Sequence, residues 1–314
     1  MQTPPAARPA VPGRAPRVTV ITACYNDGAT VGDTIASCLG EDCEVVLVDD
    51  GSTDPFTIAE LERLAVGPVR LVRQENGGLS AARMRGLEEV RTPYVFPLDA
   101  DDQLLPGSLA RLADALDRDP GLAVVWGDYE IFGDYGRVRE LAHRLDPWQI
   151  TYLDEIPAAS LVRRDALVAA GGWRSAVYED WNLWLSFAER GLRGERLPIV
   201  AYRYRRHGVR KWEEDFKENR RFEGELRAAH PALYAARGVH WRRSRAPLLN
   251  RLAFPLIDRL PGLSEPRRVG LLSLVSTVAH RRTATLRWLL RRRAGSSVRV
   301  PVARVTAALG RRRS

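Results

Sequence analysis

From Arg17 onward, short β-branched, apolar runs alternate with segments whose apolar residues recur every three or four positions. Residues 18–23, 45–48, 69–72, 94–98 and 123–126 read as strands. Between the first two, residues 30–39 place Val31, Ile35 and Leu39 on one side of a helix, with Thr30 and Asp33 spaced as a capping box. Asp54-Pro55 marks the next helix start, an Asp cap followed by proline at the first helical position. Residues 80–90 form a third helix, and Leu109, Leu112 and Leu116 mark a fourth. Apolar strands separated by helices predict an α/β fold, with a parallel sheet covered on both faces. Such sheets bind ligands at the carboxyl ends of their strands. The polar clusters fall there: Cys24-Tyr25-Asn26-Asp27, then Asp49-Asp50, then Asp99-Ala100-Asp101-Asp102.

The 314 residues are 45% hydrophobic and 28% charged, which fits a soluble folded chain and excludes a collagen-like, fully disordered or disulfide-stapled one. The formal charge of +9 suggests an anionic partner, yet it is unevenly spread. Residues 241–314 hold 18 Arg, no Lys and two acids, for +16, leaving −7 on residues 1–240. Cys24, Cys38 and Cys43 are too few and too close for a disulfide framework, and no Cys/His spacing resembles a zinc site. A reduced, cytoplasmic setting is expected. Residues 1–16, with five prolines and no apolar stretch, read as a disordered leader rather than a signal peptide. No run approaches the ~18 apolar residues of a membrane span. No G-x-G-x-x-G follows the first strand and no Gly-Lys-Ser/Thr loop occurs, which argues against a dinucleotide oxidoreductase and a P-loop enzyme.

Three carboxylates within Asp99–Asp102 repel one another, and a hard divalent cation shared with substrate phosphates is a common remedy. A solvated turn, with Asp capping the helix after Pro106, explains the same residues. Asp49-Asp50-Gly51-Ser52 is likewise rich in turn formers, but two acids directly after an apolar strand are placed to accept hydrogen bonds from a base or ribose. Farther on, Trp181, Trp184, Leu185 and Ala188 share a helical face, putting Glu179 and Asp180 in that helix's first turn, where acids also complement the dipole.

Taken in order, Thr22-Ala23-Cys24-Tyr25-Asn26-Asp27, Val48-Asp49-Asp50-Gly51-Ser52-Thr53-Asp54, Asn76-Gly77-Gly78-Leu79-Ser80-Ala81-Ala82-Arg83 and Leu98-Asp99-Ala100-Asp101-Asp102 resemble glycosyltransferase family 2. The resemblance covers about residues 17–210 and implies a GT-A domain, a Rossmann-like, mostly parallel sheet flanked by helices. It implies that Thr22, Tyr25, Asn26, Asp49, Asp50, Asn76, Gly77, Arg83, Asp99 and Arg205 surround a nucleotide sugar, with Asp50 on the base or ribose. Asp99 and Asp101, with His207 from the Tyr204-Arg205-Arg206-His207 segment, are the implied ligands of a divalent cation, Mn2+ or Mg2+. Glu179-Asp180 is similar to the family's Glu-Asp motif, which makes Asp180 the catalytic base and Glu179 a supporting or acceptor-binding group. Met84 departs from the pattern, since the family usually has Asn after the Ala-Arg pair.

The expectation is therefore a metal-dependent, inverting transfer of one sugar from a nucleotide-diphosphate sugar, foremost a UDP-sugar, to a hydroxyl of a glycan, lipid-linked or small-molecule acceptor in cell-envelope assembly. The alternative enzyme is a nucleotidyltransferase on a related fold, although the Gly-rich basic loop that usually follows its first strand is missing. A glycoside hydrolase would leave Asp49-Asp50 and Asn76-Gly77-Gly78 unused. A processive synthase would add transmembrane helices and a Q-x-x-R-W segment, whereas Arg287-Trp288 here follows Ala284 at the Gln position. The expected organisation is a catalytic domain over 17–240, divided into a nucleotide-sugar half (17–130) and an acceptor half (131–240), then a basic helical extension over 241–314. In that extension Leu271, Leu274, Val275 and Val278 follow helical spacing, and Leu286, Leu289 and Leu290 precede Arg291-Arg292-Arg293. An Arg-rich amphipathic helix suits either an anionic membrane surface, making the enzyme peripheral on the inner face of the cell membrane, or packing on the domain with Arg outward. No nucleic acid is expected, as no recognised module accompanies the arginines. A binding protein without catalysis is the remaining alternative.

Overall fold

The computed structural model describes residues 15–133, 136–174, 178–206 and 219–293, the last with backbone alone at 219–221, 265 and 281–293. Strands β1 (Val18–Cys24), β2 (Cys43–Asp49), β3 (Val69–Arg73) and β4 (Tyr94–Pro97) pair in parallel in the order β3-β2-β1-β4. Beyond β4 the sheet becomes mixed. The short strand β8 (Leu161–Arg163) runs antiparallel to both β4 and β6 (Leu122–Gly133), and β9 (Arg193–Arg206) then runs parallel to β6. Two small strands finish it, β5 (Gln103–Leu104) on β9 and β7 (Arg137–Arg139) on β6. The α/β architecture with a mostly parallel sheet is as the pattern predicts, while the antiparallel strands come from segments too short to show a period.

Alternate residues of each central strand enter opposite cores, which is why these strands are predominantly apolar. Val20, Leu47 and Phe96 face α1 (Gly28–Leu39), α2 (Pro55–Leu64) and α4 (Ser108–Arg118); Ile21, Val46, Val48 and Val95 face α3 (Leu79–Glu89), α5 (Arg164–Ala170) and α6 (Glu179–Glu189). Asp54 caps α2 as expected, its carboxylate accepting the Thr57 amide at 2.9 Å. The capping box of α1 does not form. That helix starts earlier, at Gly28, whose N–H donates to Thr57 Oγ1 at 3.0 Å, and Asp33 turns instead to the Arg205 guanidinium at 3.0 Å. Nor does an Asp cap α4: the Glu41 carboxylate, far upstream, accepts the amides of Gly107 and Leu109. The strand expected at 123–126 continues to Gly133 because β9 pairs along it as far as Arg206.

After β9 come α7 (Asn219–Ala229), α8 (Pro231–Ala235), α9 (Arg237–Arg243), α10 (Leu248–Asp258) and α11 (Glu265–Arg293). Residue 240 lies inside α9, and the basic segment that follows packs on the domain through residue 280. Phe254, Ile257 and Leu272 form a third core with Trp148, Tyr152 and Leu153. Asp146 accepts hydrogen bonds from the Ser244 hydroxyl and the Arg245 amide, both at 2.9 Å, and Arg237 stacks 3.9 Å from the Tyr152 ring centre. The inward face of α11 is Leu272, Ser276, Ala279 and His280, so Leu271 and Leu274, which the spacing assigned to the apolar face, point to solvent. Ser276 is buried because it serves Asn250 Nδ2 at 3.2 Å. Trp148, 1% exposed and stacked on Phe254 with 5.9 Å between ring centres, is the centre of this joint. Trp148→Ala is expected to destabilise the chain by roughly 3–5 kcal/mol, read as the shift in urea midpoint.

Candidate active site

Two clusters of polar residues form at the carboxyl ends of the strands. The first joins β1, β2 and β3. Asn26, held at φ 59°, accepts the amides of Thr53 and Asp54 at 2.9 Å each and so ties the turn after β1 to the turn after β2. Asp49 accepts the Ser52 amide at 2.9 Å. Asp50, buried, accepts from Gln74 Nε2 at 2.7 Å, Gly77 N–H at 2.8 Å and Gly78 N–H at 2.9 Å, and thereby shapes the 74–78 loop. Gly51 is required at its φ of 73°, where a Cβ would stand 2.7 Å from the Asn76 amide nitrogen. Thr22 Oγ1 is buried without a hydrogen-bond partner, whereas Tyr25, Asn76 and Gly77 are exposed.

The second cluster lines a cavity of about 360 Å3 beyond the end of β4. Its walls bring together Arg83 from α3, Asp99 and Asp102 from the turn after β4, Glu179 and Asp180 from the first turn of α6, and Asp154 from a loop. Arg83, 2% exposed, holds it: one guanidinium nitrogen donates to Asp99 at 2.7 Å and another to Glu179 at 2.6 Å. Burial opposes its charge, but the carboxylates of Asp99, Glu179 and Asp180 more than offset that and raise its pKa. Met84, the departure from the family pattern, turns away from this cluster to pack on Gly172, where a Cβ would meet its sulfur at 2.2 Å.

Three of these acids, Asp180, Asp154 and Asp102, depart from ordinary carboxylates. Burial first, then the charge of Glu179, lift Asp180 to about 7, against the Trp181 amide and Arg83, which favour the ion. Asp154 is raised well above the carboxylate range by burial and then by Asp180. Asp102 is raised by burial and then by the charges of Asp99 and Asp101, although it accepts the Arg205 amide at 2.9 Å. Among the described residues, no three His, Cys, Asp or Glu side chains are grouped as an ion's ligands would be. Two carboxylates at Asp99 and Asp101 still suit a hard cation whose remaining ligands come from a bound diphosphate. A cation beside Asp99 and Asp101 would relieve the part of the rise in the Asp102 pKa that comes from their charges.

Of the expected residues, Arg83, Asp99, Glu179 and Asp180 therefore share one cavity, while Thr22, Tyr25, Asn26, Asp49, Asp50, Asn76 and Gly77 stand at the adjoining strand ends. Arg205 bridges to the turn from the side, donating to the Asp101 carbonyl at 2.9 Å and to Asp33. His207 lies outside the described residues. Pattern reading missed Asp154, Arg139 and the tyrosines Tyr129 and Tyr202 of the cavity wall. Tyr129 and Tyr202 sit on β6 and β9 with ring centres 5.3 Å apart, a pairing that no local signal carries.

This sheet, with an acid-lined cavity at its strand ends, defines a GT-A-type module. Residues 19–170 match the model for glycosyl transferase family 2, and over that stretch the chain is similar to glycosyltransferases. The chain is similar to the succinoglycan biosynthesis protein ExoU of Rhizobium meliloti, 37% identical over 99 residues that cover 30% of this chain and 29% of ExoU. It is also similar to the putative glycosyltransferase EpsE of Bacillus subtilis, 28% identical over 204 residues that cover 60% of this chain and 73% of EpsE. The matches span 29%, 36% and 27% of the length of three such relatives. Among solved structures, S. aureus TarS 1–349 in complex with UDP-GlcNAc superposes with a TM-score of 0.54 at 17% identity, covering 83% of this chain and 81% of that one.

Because the pKa of Asp180 is raised in the folded state, the native chain holds a proton that the unfolded chain releases above pH ~4. Stability tied to that proton is complete below pH ~4 and is lost as pH rises through about 7. Asp180→Asn is thus expected to stabilise the fold at pH 8 by on the order of 1–3 kcal/mol and to have little effect at pH 4, measured as melting temperature across pH. Arg83→Met removes the cation between Asp99 and Glu179 and is expected to cost roughly 2–4 kcal/mol in urea unfolding, less than for a closed ion pair because water reaches Asp99.

Proposed function

We propose that this chain is a metal-dependent, inverting glycosyltransferase that moves one sugar from a nucleotide-diphosphate sugar, foremost a UDP-sugar, to an acceptor hydroxyl. The observation that carries this reading is the single cavity in which a carboxyl titrating near 7, Asp180, adjoins Arg83 and Asp99. Succinoglycan biosynthesis in the name of one relative, and the UDP-GlcNAc held by TarS, support a role in cell-surface glycan assembly with a uridine donor. The acceptor is a glycan, a lipid-linked species or a small molecule. The enzyme works in the cytoplasm, on the inner face of the cell membrane.

In this mechanism the nucleoside rests on the turns after β1, β2 and β3, against Asp49, Asp50 and the 76–77 loop. The acceptor enters the cavity from the side of Asp154 and Tyr129. Asp180 accepts the hydroxyl proton as the acceptor oxygen forms its bond to the anomeric carbon. The bond from that carbon to the diphosphate breaks on the opposite face, and its electron pair leaves with the nucleoside diphosphate. Glu179 and Arg83 hold Asp180 and Asp99 in register, and Arg205 places positive charge beside the departing group. A divalent cation, Mn2+ or Mg2+, held by Asp99 and Asp101 with His207 as a third ligand, would neutralise charge on the diphosphate.

Asp180→Asn is expected to lower turnover by about 10²–10⁴-fold while donor binding persists, measured as nucleoside diphosphate released from radiolabelled UDP-sugars with envelope glycan as acceptor. The wild-type rate should climb with pH through about 7, as Asp180 loses its proton. EDTA should abolish activity and Mn2+ restore it. Pyrophosphate release in place of nucleoside diphosphate would make the enzyme a nucleotidyltransferase, and an unchanged rate for Asp180→Asn would remove the base assignment.

A further inference from the structure

The helical hairpin of α10 and α11 has two unlike sides. Asn250, Phe254 and Ile257 of α10, and Leu272, Ser276 and Ala279 of α11, turn inward to the Trp148 core. At 3.6 residues per turn, Leu248, Leu252 and Leu256 fall on the opposite side of α10, where a soluble helix carries polar residues. They are 67%, 55% and 68% exposed. Leu260, in the turn that follows, and Leu274 of α11 are 51% and 59% exposed. Scattered exposed leucines need no explanation, but Leu248, Leu252 and Leu256, about one turn apart on the outer side of one helix, form a stripe that water disfavours.

Among residues 241–264 every exposed charged residue is an arginine. Arg242, Arg243, Arg245, Arg259 and Arg267 are exposed, and Arg245 and Arg259 stand three residues from Leu248 and Leu256 in the chain. Asp258, the acid within α10, faces inward to Arg237 and Arg268 at 3.4 and 3.3 Å. An apolar stripe rimmed by arginines matches a bilayer interface, where acyl chains take the leucines and anionic headgroups the guanidinium groups. No helix among the described residues is long and apolar enough to cross a membrane, so the hairpin fits a surface rather than a span. Because its inner side is fixed to the catalytic domain by Trp148 and Asp146, whatever holds the outer side also orients the cavity.

We infer that the outer face of the α10–α11 hairpin is a docking surface for an anionic lipid bilayer, with Leu248, Leu252, Leu256, Leu260 and Leu274 entering the headgroup boundary. The inference deepens the membrane-side placement proposed above and rests on it, but assigns the attachment to leucines and not to the arginines of the tail alone. The test is sedimentation of the full chain with vesicles of phosphatidylcholine containing about one-third phosphatidylglycerol, at low and high salt. Wild type should sediment with these vesicles, and much less with pure phosphatidylcholine. Leu252→Gln with Leu256→Gln should lower partitioning by about tenfold or more at both salt concentrations, with an unchanged melting temperature. Leu248→Gln with Leu274→Gln gives an independent pair should the first fail to fold. Binding that salt abolishes and neither leucine pair alters would assign attachment to the charged tail, overturning the docking surface while leaving membrane association intact. Absence of wild-type binding would overturn both. A light-scattering mass of two chains that falls to one in the leucine variants would place a second copy on this face and overturn the lipid assignment.

Discussion

A guanidinium withdrawn from water has to be surrounded by charge or hydrogen-bond acceptors, and in this fold that requirement organises the catalytic end of the sheet. Arg83 leaves α3 into the interior and meets Asp99 from the turn after β4 and Glu179 from the first turn of α6. Three elements distant in the chain are thereby fixed to one point. Asp180, next to Glu179 in that turn, inherits its position from the same pairing, and its high pKa follows from sharing a dry space with so many acids. α3 also starts at Gly78, whose amide Asp50 holds. The turn where a nucleoside is proposed to sit and the cavity where bonds would change are thus the two ends of a single turn and a half of helix.

The parallel half of the fold was legible because its central strands are buried on both faces and therefore run to unbroken apolar stretches, as at Val45–Val48. Its site residues were legible for the same reason, since a charged cluster stands out directly after such a strand. Elsewhere the determining contacts join residues far apart. α1 has no capping box because Asp33 is drawn to Arg205, and α4 is capped by Glu41, and in neither case does the local sequence contain its partner. Asp154 occupies a loop with no periodicity, so nothing but its place opposite Asp180 distinguishes it. The inner side of α11 was misread because a buried Ser276 satisfied by Asn250 counts as polar in any apolar pattern.

The charge asymmetry acquires a spatial meaning from the same contacts. Part of the basic segment is structural: Arg237 lies over Tyr152, and Arg268 is enclosed with Asp258 and Glu223. What is left exposed includes Arg242, Arg243, Arg245 and Arg259, while Asp99, Asp102, Asp154, Glu179 and Asp180 line the cavity. Attraction of an anionic ligand to that cavity therefore rests on local groups such as Arg83 rather than on the net charge.

The pairing of β6 with β9 has a consequence for the order in which the protein is made. These two strands run parallel from Leu122 opposite Arg193 to Gly133 opposite Arg206, and the chain between them carries Asp154, Glu179 and Asp180. Closing so long a loop incurs its entropic cost before any of the pairing contacts are made, the situation in which folding is slow. The β1–β4 half needs only short crossovers and its contacts come early from the ribosome. A nascent chain thus completes the β1–β4 side of the molecule, with Asp49 and Asp50, before Asp154, Glu179 and Asp180 are brought to it.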